Sequence, residues 1–422
     1  MSTLRTKARV TSVVAGIGIV ALLAAGCSRG GDSGGGESTD GAVANSPGIT
    51  DTTLTLGVST PLSGATAGPG TCTVAGLAAY MGARNAEGGI EFGDGKTRTI
   101  EVKSYDDAYD PQKALANFQQ MVADDVFAAT SGLGTPTNRA WREAAIDEEF
   151  PQVLIMTGDP LFSDPEESPW QLGFVPVYQN EGAAFGELLA ESGDHKVAIL
   201  YQNDDYGQGY VEGFKEAVAG ASNIEIVGEL SYEATDASVD AQLTELSATG
   251  ADVFFNAMSI TPLVISSLQK AQELGWLPSW FLPSNTSSPT AILQPGNAAA
   301  FPGVYSVSFS KAPASPAFAE DEDVVTFLSD LKEYGDYPDP PAFPHCMWSY
   351  MIGATLEQVF QNMTEPTRDD FMLHLREVTD FTAPLMLPGT AVNTTVPGEP
   401  AVSSVIVQKY NGTGYSDADS IG

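Results

Sequence analysis

The chain is poor in the residues on which metal centres and hydrolytic sites are built. Its 422 residues include three histidines and three cysteines. His195, His345 and His374 are scattered, and no CxxC or HxxxH spacing occurs. A metal site is therefore not expected, and no cofactor is. No G-x-S-x-G elbow sits at a strand-to-helix turn and no histidine pair could hold a catalytic metal, which argues against a surface hydrolase and against an enzyme in general. Cationic side chains are also scarce: 19 Lys and Arg stand against 54 Asp and Glu, a formal charge of −35. That balance repels nucleic-acid phosphates and anionic headgroups alike, so neither is an expected partner. The excess acid reads as a solvated surface and does not identify a ligand. Gly89 to Thr97 superficially resembles a phosphate loop, but the first glycine is one residue too far from Gly95-Lys96 and a strand follows where a helix is needed. It reads as a turn.

What is present begins at the N-terminus. Arg5, Lys7 and Arg9 precede an apolar stretch from Val10 to Ala25, the layout of a secretory signal. Leu23-Ala24-Ala25-Gly26-Cys27 resembles the lipobox of bacterial lipoproteins, with Ala24 where Leu is commoner. The expectation is a signal peptide over residues 1–26 and lipidation of Cys27, which anchors the chain to the outer face of the cell membrane. Residues 27–50 are rich in Gly and Ser and almost free of apolar side chains, the composition of a flexible tether. Cys72 and Cys346 remain. An oxidising compartment permits a disulfide between them, and the spacing leaves open whether they are bridged or are two buried thiols.

The length exceeds what a single core usually supports, so two lobes are expected. Apolar β-rich runs at Leu54 to Val58, Thr99 to Tyr105, Phe127 to Ser131 and Gln152 to Met156 alternate with helical patterns. Asp110 and Pro111 provide a helix N-cap and first-turn residue. The order restarts after Trp170 to Val177, with strands at Val197 to Tyr201, Ile224 to Leu230, Val253 to Asn256 and Trp280 to Leu282. Thr261 is read as the cap of a helix over Pro262 to Leu274, with Gly275 as its stop. Beyond Gly303 come a strand at Val304 to Phe309, helical stretches near Phe318 to Tyr334 and Met347 to Asn362, and a turn-rich, β-like end from Pro384. Two successive α/β units imply two parallel sheets.

Three stretches carry a resemblance. Leu54-Thr-Leu-Gly-Val-Ser-Thr-Pro-Leu-Ser-Gly64, Tyr105-Asp-Asp-Ala-Tyr-Asp-Pro-Gln-Lys-Ala114 and Val197-Ala-Ile-Leu-Tyr-Gln-Asn-Asp-Asp-Tyr-Gly-Gln-Gly209 occur in order between strands and helices. They resemble the branched-chain amino-acid-type substrate-binding proteins of ABC transporters, from Leu54 to about Asn362. The resemblance implies a type I periplasmic-binding fold, an α/β class with two doubly wound lobes joined by a three-strand hinge. Residues 51–176 and 310–383 would form lobe 1, and residues 177–309 and 384–422 lobe 2, with crossovers near Phe174 to Tyr178, Ser306 to Ser310 and Thr382 to Leu387.

The same resemblance places a ligand in the cleft between the lobes, held by the loops that follow the strands. Gly134, Thr135 and Pro136 follow the third strand, and Thr157 and Gly158 the fourth. Tyr206 reaches from the opposite lobe, with Met258, Ser259 and Asn285 completing the wall. Asn285 stands where amino-acid binders of the family commonly have an acid. Asp159 or Asp204 is the expected substitute if the ligand carries an ammonium group, and otherwise an amide, a carboxylic acid or an aromatic acid fits comparably. The implied function is that of the extracytoplasmic solute-binding component of an ABC importer. A monomer is expected, with permease subunits and a small polar metabolite as partners. The alternative is a ligand-sensing surface lipoprotein that signals to a membrane receptor.

Overall fold

The computed structural model describes residues 43–338, 341–418 and 421. The expected signal peptide, Cys27 and most of the expected tether lie outside the described residues, as do both literal matches to G-x-S-x-G, at residues 26–30 and 31–35. The last residues assigned to the tether pack onto the body. Ser46 N donates to the Pro366 carbonyl at 2.9 Å, and Ile49 is buried. Ile49 is the first apolar side chain after the Gly/Ser run with a core to join, and Gly48 supplies the positive φ that turns the chain into it.

The first half runs β1 (Thr53–Thr60), α1 (Ala67–Ala86), β2 (Ile90–Glu91), β3 (Thr97–Asp106), α2 (Pro111–Ala123), β4 (Ala128–Thr130), α3 (Thr135–Arg139), α4 (Arg142–Asp147), β5 (Gln152–Ile155) and β6 (Gln171–Gly173). Its six strands are ordered β2-β3-β1-β4-β5-β6, all parallel except β2. The second half of β1 is buried without interruption, as expected of a central parallel strand covered on both faces. Gly89 to Thr97, read as a turn, is the β2 to β3 hairpin, with Gly95 at φ 77°. Asp110 caps α2 as its sequence position predicts, accepting from Gln112 N at 2.7 Å.

The second half comprises α5 (Tyr178–Ala190), β7 (His195–Gln202), α6 (Asp205–Val218), β8 (Ile224–Tyr232), α7 (Asp240–Ser247), β9 (Val253–Ala257), α8 (Thr261–Glu273), β10 (Ser279–Phe281) and β11 (Val304–Ser308). Helices α9 (Glu322–Tyr334), α10 (His345–Asn362) and α11 (Arg368–Leu375) follow, then the hairpin β12 (Ile406–Tyr410) and β13 (Tyr415–Asp417). The second sheet is ordered β13-β12-β11-β10-β9-β7-β8. Thr261 is not the cap of α8. It is the first helical residue, and Ile260 is the N-cap, without a side-chain bond. The extended backbone at Ile260 lets the helix start one residue before the proline, so Pro262 lies in the first turn, where its missing N–H costs nothing.

Three segments connect the halves. Phe174 to Val177 leads from β6 to α5, Phe309 and Ser310 lead away from β11, and the return ends at β12. Lys311 N donates to the Leu385 carbonyl at 2.7 Å, Leu387 N to Phe309 at 3.0 Å, and Val402 N to Phe174 at 2.9 Å. The expected third crossover, Thr382 to Leu387, is thus paired beside the second one. The chain then runs on against the first half, with Ala401 N donating to the Gly173 carbonyl at 2.9 Å, before reaching the second sheet at Ile406.

Helices α9 and α10 return to the first half and pack on α1. A Cβ at Gly76 would collide with the Cys346 carbonyl, so the glycine permits the close approach of α1 to α10. One turn earlier, Cys72 forms a disulfide with Cys346, their Cα atoms 4.6 Å apart and 274 residues distant in sequence. Closing so long a loop stabilises mainly by restricting the unfolded chain. Replacing both cysteines with serine is expected to lower unfolding free energy by about 2–5 kcal/mol. Denaturant titration of the oxidised and variant proteins checks this, and identical midpoints would remove the bridge from the account.

Candidate functional site

In the first sheet the strand order reverses at β1, which lies between β3 and β4; in the second it reverses at β7, between β8 and β9. Ligands of open α/β sheets bind beyond the carboxyl ends of strands at such reversals. The loops that leave these strands meet in one cleft. Its lining takes Thr66, Tyr109, Leu133 and Gly134 from the first half and Tyr206, Ser259 and Asn285 from the second, with about 40 Å³ between them open to the centre of a water molecule.

The loop after β4 is shaped by backbone geometry. Ser131 and Gly134 both have positive φ, 56° and 104°. A Cβ at Gly134 would lie 2.6 Å from the Tyr109 ring, so this position demands glycine. Leu133 and Gly134 reach the cavity, whereas Thr135 and Thr157 do not. Their hydroxyls lie 2.8 Å apart and meet the Tyr178 hydroxyl at 2.9 and 3.1 Å. This buried triangle joins the loops after β4 and β5 to the first turn of α5, across the first connection between the halves. Gly158 backs it, accepting from Tyr178 N at 3.0 Å, while Pro136 is half-buried in the first turn of α3.

On the opposite wall the Tyr206 hydroxyl donates to Asn285 Oδ1 at 3.0 Å and lies 3.3 Å from the Met258 carbonyl. Met258 itself is fully buried outside the cavity. Ser259 lines it, donating to Gln202 Oε1 at 2.5 Å. The two walls touch where the Tyr109 and Ser259 hydroxyls approach to 3.5 Å. Burial pushes the Tyr109 phenol up to about 12, so it stays neutral.

The acids expected to stand in for Asn285 are occupied elsewhere. Asp159 pairs with Arg139 and caps the turn at Leu161. Asp204 caps α6 through Tyr206 N at 3.1 Å and accepts from Gln202 Nε2 at 2.6 Å. The carboxylate in the cavity lining is Glu181, in the first turn of α5, which the sequence reading missed. It is 1% exposed and accepts from Ser284 N at 3.1 Å, Ser284 Oγ at 2.8 Å and the Tyr210 hydroxyl at 2.9 Å. Desolvation nevertheless pushes its carboxyl up to about 7, against the pull of these bonds.

Two further residues were missed. His345 opens α10 and lines the cavity, 2% exposed, with no hydrogen-bond partner at Nδ1. Burial lowers its imidazole to about 3, so it is neutral. Trp348, one turn on, stacks against Phe309 and donates from Nε1 to Ser310 Oγ at 3.3 Å, joining α10 to the second connection. Among the described residues no cluster of potential metal ligands occurs.

Comparison with known proteins agrees with this geometry. A relative from Brucella melitensis biotype 1, a Leu/Ile/Val-binding protein homolog 3, is 27% identical over 209 residues, 48% of this chain and 53% of that protein. The alignment thus spans about half the length of that relative. A substrate-binding periplasmic protein from Ralstonia solanacearum superposes with a TM-score of 0.75 at 19% identity, covering 86% of this chain and 99% of the other. A fatty acid ABC transporter substrate-binding protein from Thermomonospora curvata gives 0.74 at 21% identity, covering 89% and 94%. These solved structures share the fold, and the family model described as periplasmic binding protein matches residues 53–414. The chain belongs to the periplasmic binding protein family.

Proposed function

We propose that this protein is the extracytoplasmic solute-binding component of an ABC importer, lipidated at Cys27, which holds a small polar metabolite by closure of two lobes about the three-segment hinge. The carrying observation is the cleft itself: strand ends at the order reversals of two separate sheets converge on one small cavity with polar groups on both walls. The lobes are read as residues 51–176 with 310–405, and 177–309 with the chain from 406 onward; residues 384–405, expected in lobe 2, run against the first half instead, as the bonds of Gly398 to Ser163 and of Ala401 to Gly173 require. Within the cavity the predicted residues Gly134, Tyr206, Ser259 and Asn285 face the ligand, while Thr135, Thr157, Gly158 and Met258 hold the walls from behind. The chemistry is binding without turnover. A ligand that touches both walls stabilises the closed arrangement by its differential affinity for it, and a permease reads that arrangement.

The two walls meet at the rim of the cleft. Arg139 of α3 reaches Asp205 of α6 at 2.9 Å across the rim, while also holding Asp159 on its own side. Such an exposed pair contributes about 0.2–1 kcal/mol. A lobe-closing role predicts that Asp205→Ala weakens ligand affinity up to about fivefold without lowering the melting temperature of the unliganded protein.

A thermal-shift screen with amino acids, amides, short carboxylic acids and aromatic acids tests the reading itself. A true ligand at a hundredfold excess over Kd adds about 2.7 kcal/mol of apparent stability. A selective shift supports it, and no shift across the panel would count against it. Glu181 adds a pH signature to the unliganded protein. Its folded pKa of about 7 lies above the ordinary value of 4.5, so its contribution to stability is fully present below about pH 4.5 and lost as the pH rises through 7. Glu181→Gln is expected to flatten that part of the profile.

A further inference from the structure

Beside the cleft lies a second cavity that solute binding in the cleft does not use. Its walls include Ser288 and Pro289 from the loop after β10, Ala312 and Pro313 just beyond the second connection, Phe343 from the loop before α10, and Tyr415 of β13. About 70 Å³ within it is open to the centre of a water molecule, against about 40 Å³ in the cleft. A single water needs only about 10–15 Å³ on that measure, so the space admits a small organic molecule.

Ser284 and Trp348 line both cavities and stand between them. Both are held in place. Ser284 donates to Glu181 from N at 3.1 Å and from Oγ at 2.8 Å. Trp348 donates to Ser310 Oγ at 3.3 Å, and its ring stacks on Phe309 with centroids 5.3 Å apart. The partition belongs to the scaffold, which makes the two cavities separate compartments.

Their chemistry differs as well. Although the chain carries 54 acids and 19 bases, no Asp, Glu, Lys, Arg or His is among the described residues that line the second cavity. Pro289, Pro313, Pro341 and Pro344 offer it no N–H. Several of its hydroxyls are turned to protein partners. Ser287 Oγ donates to the Ser284 carbonyl at 2.9 Å, Ser288 Oγ to the Ala342 carbonyl, Ser308 Oγ to the Ser310 carbonyl at 3.0 Å, and the Tyr415 phenol to the Ser287 carbonyl at 2.8 Å. What faces the space is largely carbon, from proline rings, Phe343, Met347 and the Trp348 indole. A charge placed there would lose its hydration without gaining a partner, whereas an apolar molecule gains by leaving water.

The walls also belong to both halves. The Ser288 bond to Ala342 joins the second half to the segment leading into α10, and α10 packs on α1. Ser308 and Ser310 lie at the second connection, and Gln408 is on β12, where the third one ends. We propose that this chamber is a second solute site, separate from the cleft, which holds a small uncharged apolar molecule such as an aromatic alcohol between the halves.

The test is a calorimetric titration of the purified protein with benzyl alcohol, compared with its charged counterparts benzoate and benzylamine. Filling the cleft with Leu133→Trp, or Leu133→Phe should the larger ring prevent folding, removes any binding there, because Leu133 lines the cleft and not the chamber. In that background benzyl alcohol is expected to bind saturably, and at least tenfold more tightly than either charged probe. Ala312→Phe fills the chamber and is expected to weaken the alcohol at least tenfold. Ala314→Phe, at an exposed position of the lining, serves should that variant not fold. Retained affinity in a folded chamber variant, no saturable binding of the alcohol, or equal binding of a charged probe would overturn the second site. So would loss of binding in the folded cleft variant, since it would place the alcohol in the cleft.

Discussion

Parallel strands all end on the same edge of their sheet, and that polarity is the constraint on which the rest of this molecule depends. At that edge strands stop and helices begin, so backbone groups are left without ladder partners and loops must satisfy them. One such edge makes a shallow crevice. Here two sheets present their reversal points to each other, and the crevice becomes a cavity whose walls belong to different halves of the chain. The disulfide between α1 and α10 holds the returning helices on the first half. The Tyr178, Thr135 and Thr157 hydroxyls hold the wall loops at the first connection. Both arrangements are fully buried, so wall shape is set by the scaffold before a ligand arrives.

The same design separates rigid from movable parts. Contacts between the halves range from the buried bonds of the Tyr178 hydroxyl to Thr135 and Thr157 at the first connection to weaker ones at the cleft, a 3.5 Å approach of Tyr109 to Ser259 and the exposed pair of Arg139 with Asp205. A solute that bridges the walls would favour a closed state by its differential affinity for that state.

Much of the architecture was legible because it follows periodicity and punctuation. The strand runs at Leu54, Val197 and Val253, and the Asp110-Pro111 helix start, depend on near neighbours in sequence and appear where those neighbours predict. The departures have local causes too: Thr261 looks like a cap, but the extended Ile260 before it takes that position. The site was legible only at the level of loops. Gly134 could be picked out as a glycine at a helix start, yet nothing local separates Thr135, which turns inward to Tyr178, from a residue that faces the ligand. Glu181 was hidden for a stronger reason. It is one acid among 54, within an ordinary helical pattern, and its burial is set by Ser284, 103 residues away, and by Tyr210 on the neighbouring helix. His345 likewise becomes a cavity residue only because α10 returns to the first half.

The claim that ligand binding is lobe closure is tested most directly by a distance measured across the cleft. Spin labels at exposed Gln112, at the start of α2, and exposed Glu233, just after β8, report one half against the other. Pulsed electron resonance with and without a solute found by screening should show a broad or longer separation collapsing to a single shorter one. A separation unchanged by a saturating ligand would mean that the halves do not move on binding, and the account of function by closure would be wrong.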